Sequence, residues 1–342
     1  MLGKGVRDMR VKTTDLNEPD QPEMVAWPSL IDEAVFITGA TATGKSRLAL
    51  AIARALGGEI LSLDSIAVYQ GMDIGTAKPG VDDRARVPHH LIDIASPTDE
   101  FSVAMYLQHA HAAVTEIRER GRIPIFVGGT PMFLKGVLRG FDPGPPADWD
   151  FRRQVEADLN RHGIAALHQR LWQVDPLAAS KIDANDSRRM IRALEVAKLT
   201  GQPISHRQLQ FRAIRDAKDC RAFVIRRERD RLHQRINDRV ERMFAAGFVD
   251  EVRRLLDIHG GLSRTAATAV GYRETLEFLA GGGDERDAAG LAELKQQVAA
   301  HTRQMARRQE TWFRSLSELT PITGDEVDDD LTGVLKRIRP RP

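Results

Sequence analysis

The chain has 342 residues, 42% hydrophobic and 29% charged, enough for a sizeable folded core in two domains or in one domain with an insertion. A net charge of +2 by itself predicts no nucleic-acid partner, and no stretch approaches the roughly 18 apolar residues of a membrane span. The lone Cys220 excludes an intrachain disulfide and a cysteine-built zinc cluster and reads as a buried free thiol. The N-terminus lacks the basic start and apolar run of a secretory signal, so these absences point to the cytoplasm.

In chain order, residues 1–30 are polar, mixed in charge and broken by Pro19, Pro22 and Pro28, and read as a disordered extension. A short buried strand follows at Ala34-Val35-Phe36-Ile37, then Gly39-Ala40-Thr41-Ala42-Thr43-Gly44-Lys45-Ser46, which fits G-x-x-x-x-G-K-[ST]. From Ser46 to Leu56 the apolar residues Leu48, Ile52 and Leu56 share one helical face. Strand, glycine-rich turn and helix place backbone N–H groups and a positive helix end around one anion. Lys45 adds a cation, and the Ser46 hydroxyl can ligate a Mg²⁺ that bridges phosphates. The loop is therefore a diphosphate- or nucleotide-binding site, and its pattern alone does not say which molecule carries the phosphates.

A second strand, Glu59 to Leu63, ends at Asp64-Ser65, and a third, Arg122 to Val127, ends at Gly128-Gly129-Thr130 after a helical segment from Val103 to Arg120. Residues 142–203 open on the breaker cluster Asp142-Pro143-Gly144-Pro145-Pro146 and then carry only helical patterns, which reads as an all-helical insertion. A late strand, Arg221 to Ile225, leads into a helical last third in which Leu232, Ile236, Val240 and Met243 form a core stripe beside Arg235, Arg239 and Arg242. The expected architecture is α/β: a P-loop parallel sheet flanked by helices over 31–141 and 204–323, the insertion at 142–203, and a loose tail at 324–342. Around Arg221–Arg242 and His301–Arg314 arginines outnumber acids, so the near-neutral total hides a basic face. His89 and His90 lack metal-ligand company, and Trp312 reads as core.

The segment Leu63-Asp64-Ser65-Ile66-Ala67-Val68-Tyr69-Gln70-Gly71-Met72-Asp73-Ile74-Gly75-Thr76-Ala77-Lys78-Pro79 is not a generic kinase sequence. Together with Val87 to Asp93, Val127 to Thr130, Asn185 to Glu195, Val270 to Glu274 and Arg303 to Arg314, it resembles the tRNA dimethylallyltransferases from about Val35 to Arg314. That resemblance implies transfer of a dimethylallyl group from dimethylallyl diphosphate to the exocyclic amine of the adenosine just 3′ of a tRNA anticodon. It implies Asp64 as the base, Thr130 as a positioning group and Lys45 with the loop on the diphosphate, joined by Arg235 or Arg239. Ser65, Ile66 and Ala67 would line the adenosine pocket. Arg188, Arg189, Met190, Ile191, Arg192, Val270, Gly271, Tyr272 and Arg273 correspond to segments that contact tRNA, and Arg152 is a further candidate. Arg303, Arg307 and Arg314 are candidates for the tRNA backbone.

The sequence departs from the family pattern in three places. Ala40 stands where proline is usual, Phe133 lacks a usual tyrosine hydroxyl, and Asp183-Ala184 replaces His-Pro. The implied partners are the tRNA anticodon arm, dimethylallyl diphosphate and Mg²⁺, with no membrane and a monomeric chain, since no coiled-coil seam is visible. The rival readings are an adenylate isopentenyltransferase, for which the insertion and basic helices are superfluous, and a small-molecule kinase, whose Walker-B aspartate is missing after Phe126-Val127. A non-catalytic RNA-binding module has no need of Lys45, Ser46 and Asp64 together.

Overall fold

The computed structural model describes residues 26–207, 215–284 and 287–338. Among them six parallel strands form one sheet: β1 (Val35–Gly39), β2 (Gly58–Leu63), β3 (His89–His90), β4 (Ile123–Gly128), β5 (Ala222–Arg226) and β6 (Thr320–Thr323), in the order β3-β2-β4-β1-β5-β6. The helices of the first half are α1 (Lys45–Leu56), α2 (Val81–Arg86), α3 (Val103–Glu119) and α4 (Pro131–Arg139). The insertion holds α5 (Trp149–His162), α6 (Ile164–Val174), α7 (Pro176–Ala179), α8 (Ser187–Thr200) and α9 (Ile204–Arg207). Then come α10 (Arg229–Ala245), α11 (Phe248–His259), α12 (Arg264–Ala267), α13 (Tyr272–Ala280), α14 (Ala288–Arg314), α15 (Gly324–Asp329) and α16 (Leu331–Ile338).

Both faces of the sheet are covered, which is why β1 is a continuous apolar run rather than an alternating one. On one face Val35 and Ile37 pack with Leu48 and Ile52 of α1 and with Val334 and Ile338 of α16. On the other, Phe36 stacks on Phe126 at 5.2 Å, and Leu61, Tyr106, Leu107 and Phe313 close the layer. Phe133 is buried and stacks on Tyr106 at 3.8 Å, a packing role that needs no hydroxyl. The carboxyl ends of β1, β2 and β4 lie side by side, with Leu63 opposite Gly128 and Thr38 opposite Gly128 across the two ladders. Their following residues, Ala40, Asp64 and Gly129, therefore emerge at one edge.

Residues 142–207 have a core of their own, built on Phe151, Val155, Leu171, Met190 and Leu194. The helix α9 extends this unit past residue 203, since Ser205 N donates to the buried Asp175 Oδ2 at 3.0 Å. Glu195, wholly buried on α8, accepts from Arg152 Nε and Nη2 at 2.8 Å each and from the Asp148 backbone N–H, and it also pairs with Arg192. Arg192 Nη2 in turn donates to the carbonyls of Pro143 and Pro145, which fixes the breaker cluster where the chain enters the insertion.

Three expectations change. Residues 1–25 of the expected disordered extension lie outside the described residues, but 26–30 belong to the fold: Trp27 and Phe141 form an antiparallel bridge and Leu30 is buried. The helical last third also contains β6, whose Pro321 is tolerated because an edge strand has an unpaired side. The expected loose tail, 324–342, is α15 and α16 as far as Ile338, with 339–342 outside the described residues. A capping box at Thr323 and Glu326 starts α15, and Val327, Val334 and Ile338 are buried against α1 and the sheet. The charged composition of that segment hid its apolar stripe. Val334→Ala is expected to lower unfolding stability by about 2 kcal/mol in urea denaturation; an unchanged midpoint would mean that the tail contributes nothing.

Candidate active site at the strand carboxyl ends

A cleft of about 440 Å³ opens over the ends of β1, β2 and β4, lined by the phosphate loop, Asp64 to Ala67, Gly75 to Gly80 and Gly128 to Thr130, with Arg235, Arg239 and Gln309. The loop's shape follows from its backbone. Gly39 has φ 148° and lies so close to β5 that a Cβ would sit 2.7 Å from the Ile225 carbonyl, and Ala42 and Gly44 also take positive φ. Thr43 Oγ1 donates to Ala40 O at 2.8 Å, and Lys45 Nζ donates to the same carbonyl at 2.6 Å. The Ala40 position therefore keeps its turn without proline.

Cations converge on this loop from distant elements. Arg235 and Arg239, four apart on α10, donate to Ala42 O at 2.8 Å and to Thr41 Oγ1 at 3.1 Å. Arg227, immediately after β5, donates through Nη2 to Thr43 O at 3.1 Å and pairs through Nη1 with Asp328 of α15 at 2.7 Å. Burial, and then the charge of Arg239, lowers the Lys45 ammonium from its ordinary 10.5 to about 7, with Asp64 opposing the shift. Burial likewise lowers Arg239, and Asp64 opposes that too. Ser46, in the first turn of α1, lines the same cleft.

Asp64 follows β2 and points one oxygen into its own turn: Oδ1 accepts from Ile66 N at 2.9 Å and Ala67 N at 3.2 Å. Oδ2 makes no hydrogen bond among the described residues, and Asp64 lines the cleft. Thr130, at the start of α4, accepts from Ser65 N at 3.0 Å, so it braces the Asp64–Ala67 turn rather than capping its helix. The cleft thus brings together Lys45, Ser46, Asp64, Ser65, Ile66, Ala67, Thr130, Arg235, Arg239, Val270 and Tyr272.

The remaining sequence candidates divide by environment. Met190 and Ile191 are buried in the insertion's core, and the partly exposed Arg152 and Arg192 pair with the buried Glu195. Arg188 and Arg189 are exposed at the start of α8. Gly271 is buried, and Arg273 pairs with the buried Glu274 at 2.7 Å. Arg303 donates to Asn237 Oδ1 at 2.7 Å, while Arg307 and Arg314 are exposed. His89, half-buried in β3, bonds the Val87 carbonyl and lines the cleft, and burial lowers its pKa; His90 meets Glu59 at 2.7 Å. Among the described residues no group of His, Cys, Asp or Glu side chains could hold a metal by itself.

Sequence reasoning missed Gln309 and Arg227. Gln309 accepts from Thr41 N at 2.9 Å and donates to Gly129 O at 2.8 Å, tying the phosphate loop to the end of β4. The available signal was a polar residue on the buried α14 stripe of Thr302, Ala306 and Phe313. Arg227 had no local signal, since its partners lie 101 and 184 residues away.

The IPP transferase family model matches residues 67–316, and an isopentenyl transferase model matches residues 32–89. A tRNA dimethylallyltransferase of Rhodopirellula baltica is 57% identical over 307 residues, covering 87% of this chain and 90% of the relative. That of Geobacter sulfurreducens is 47% identical over 280 residues, covering 82% and 88%. The crystal structure of a tRNA isopentenylpyrophosphate transferase from Bacillus halodurans superposes with a TM-score of 0.63 at 38% identity, covering 90% of this chain and 95% of that one. A eukaryotic dimethylallyltransferase acting on tRNA, at 24% identity and a TM-score of 0.72, shares the fold. With its phosphate loop and Asp64 in one cleft, the chain belongs to the IPP transferase family, the tRNA dimethylallyltransferases.

Proposed function

We propose that the cleft transfers a dimethylallyl group from dimethylallyl diphosphate to the exocyclic amine of the adenosine 3′ to a tRNA anticodon. One observation carries the reading: an anion-binding loop and a carboxylate with an uncommitted oxygen face the same cavity. The amine nitrogen attacks the allylic carbon, the C–O bond breaks, and diphosphate departs as a polyanion. Loop N–H groups, Lys45, Arg239 and Arg235 stabilise that growing charge in a partly dry site. Asp64 Oδ2 holds the amine and takes its proton, while Oδ1 stays fixed by the Ile66 and Ala67 N–H groups. Thr130, through Ser65, keeps this turn in register with β4.

The donor set suits Mg²⁺, a hard ion that binds through few protein oxygens plus substrate phosphates. The Ser46 hydroxyl would hold it, and the ion would neutralise charge on the leaving diphosphate. The adenosine must leave its stack to reach Asp64, which calls for a surface that grips the anticodon arm. Arg188 and Arg189 on the insertion and Arg307 and Arg314 on α14 supply exposed cations for its phosphates. A tRNA substrate supports a cytoplasmic location for the enzyme. Among the described residues no helix is long and apolar enough to cross a membrane.

Transfer of labelled dimethylallyl from its diphosphate to unmodified tRNA, with AMP and ATP as parallel acceptors, tests the reading. Label is expected in tRNA alone; label in the nucleotides alone would make this an adenylate enzyme, and ATP hydrolysis without transfer would make it a kinase-like site. Asp64→Asn preserves the Oδ1 contacts and is expected to slow transfer by about 10²–10⁴-fold with tRNA affinity within about threefold. A loss confined to tRNA binding would remove Asp64 as the base.

Lys45 supplies a pH test. Free Lys45 titrates near 7, and a bound diphosphate favours its charged form, so its pKa rises on binding. Below pH 7 the lysine is already charged and adds no pH dependence. Above it, binding takes up a proton, and donor affinity is expected to fall by up to about tenfold per pH unit. Lys45→Arg is expected to flatten that slope in calorimetric titrations while leaving the ligand's own titration visible. An identical slope in the variant would show that Lys45 does not face the diphosphate.

A further inference from the structure

We infer that Glu251, with Tyr272, is a positioning residue for the donor site and sets Arg239 through the backbone of residues 73–76. This rests on the reading of Arg239 as a diphosphate ligand. Glu251 lies on α11, 1% exposed, behind the cleft lining. Its Oε2 accepts from Asp73 N at 2.9 Å and Ile74 N at 2.7 Å, and its Oε1 accepts from Gly75 N at 3.2 Å. The Tyr272 hydroxyl donates to Oε1 at 2.7 Å. Three consecutive backbone N–H groups converging on one buried carboxylate fix a loop that has no regular secondary structure to hold it.

The packing around the loop is equally restrictive. A Cβ on Gly75 would lie 2.5 Å from ring carbons of both Phe248 and Tyr272, so only glycine lets the two rings press against this backbone. At the far end, the Lys78 ammonium is buried and bonds Asp73 Oδ1 at 2.7 Å and Asp93 Oδ1 at 2.6 Å, together with the Tyr69 carbonyl. Between these fixed points sits Thr76, whose carbonyl accepts from Arg239 Nη2 at 3.2 Å. Arg239 Nη1 reaches Thr41 Oγ1 in the phosphate loop at 3.1 Å. The guanidinium is therefore held on two sides, by the 73–76 loop and by the phosphate loop, and Glu251 determines the first of these.

A carboxylate accepts all four bonds, whereas an amide of the same shape offers one oxygen and turns N–H groups toward the donors. Glu251→Gln is thus expected to release the loop, and through it Arg239, without touching either substrate. The experiment is a double-mutant cycle on steady-state kinetics with dimethylallyl diphosphate and tRNA varied separately, each protein being checked by thermal melting. Glu251→Gln is expected to raise the KM for the diphosphate about tenfold and to leave the KM for tRNA within about twofold. Adding Glu251→Gln to Arg239→Ala is expected to change the donor KM no further. Tyr272→Phe, which removes one hydroxyl and keeps the ring packing, is expected to show the same pattern at about threefold, and it replaces Glu251→Gln in the cycle if that variant does not fold.

Full additivity with an impaired Arg239→Ala would overturn the inference alone, since Glu251 would then act independently of the arginine. An equal rise in both KM values would also overturn it, as the sign of a merely structural role. An unchanged donor KM in Arg239→Ala would remove the diphosphate reading, and this inference would fall with it.

Discussion

Like charge crowded around a backbone loop is the constraint from which the arrangement of this protein follows. Lys45, Arg227, Arg235 and Arg239 each touch the segment from Ala40 to Thr43, mostly through its carbonyls. Their mutual repulsion is legible in Lys45, whose charged form is disfavoured by burial and by Arg239 together. A cluster of this kind holds only if the elements that carry it are themselves rigid. Each cation comes from a different support: α1, the end of β5 and two successive turns of α10. Two acids moderate the cluster, Asp64 inside the cleft and Asp328 behind it. A polyanion such as the diphosphate of the proposed reaction would replace repulsion with attraction at several points at once, and the sheet provides the stiffness that keeps the cations in place.

The C-terminal segment matters to this balance. Asp328 on α15 pairs with Arg227 and also meets Arg47 at 3.2 Å, and Arg227 is what ties Thr43 O to the end of β5. α16 then packs on α1, the helix whose first turn carries Lys45 and Ser46. Residues far along the chain thus brace both the loop and the helix after it. The same logic governs the insertion. Glu195, wholly buried, binds Arg152 and Arg192, and Arg192 seizes the carbonyls of Pro143 and Pro145. Such an ionic junction adds little net stability compared with an apolar one, but removing one member leaves a buried charge unpaired. Its value is local order: it fixes the Pro143–Pro145 turn at which the chain enters the insertion.

What the sequence made legible was what is local. The phosphate loop declares itself within eight residues, and Asp64 and Thr130 were found because each ends a strand recognisable from its apolar run. The α10 stripe announced both its core face and the arginines beside it, and four-residue spacing was enough to place Arg235 and Arg239 together. The parts that were not legible are long-range. Gln309 meets Thr41 across 268 residues, and Glu251 meets Asp73 across 178. Charge also misled where burial decides. The segment 324–338 looked loose because its acids outnumber its valines, yet Val327 of α15 and Val334 and Ile338 of α16 pack into one cluster with α1. Arg152 and Arg192 were singled out as tRNA contacts, and what no local pattern could show is that both pair with the buried Glu195.

The buried carboxylates Glu195 and Glu251 and the half-buried Asp64 serve different purposes, and counting their hydrogen bonds tells them apart. Glu251 accepts three backbone N–H groups and a phenol, so both oxygens are committed and protonating either would break a bond the loop depends on. Glu195 is committed in the same way to two guanidinium groups and a backbone N–H. Asp64 differs. Its Oδ1 is used by Ile66 and Ala67, its Oδ2 makes no hydrogen bond among the described residues, and the residue lines the cleft with Lys45 and Arg239. A carboxylate that anchors itself with one oxygen and leaves the other toward substrate can accept a proton without disturbing the scaffold. In the mechanism proposed for the cleft a carboxylate suffices as base, because the allylic carbon becomes electron-poor as diphosphate departs and the amine sheds its proton as the new C–N bond forms.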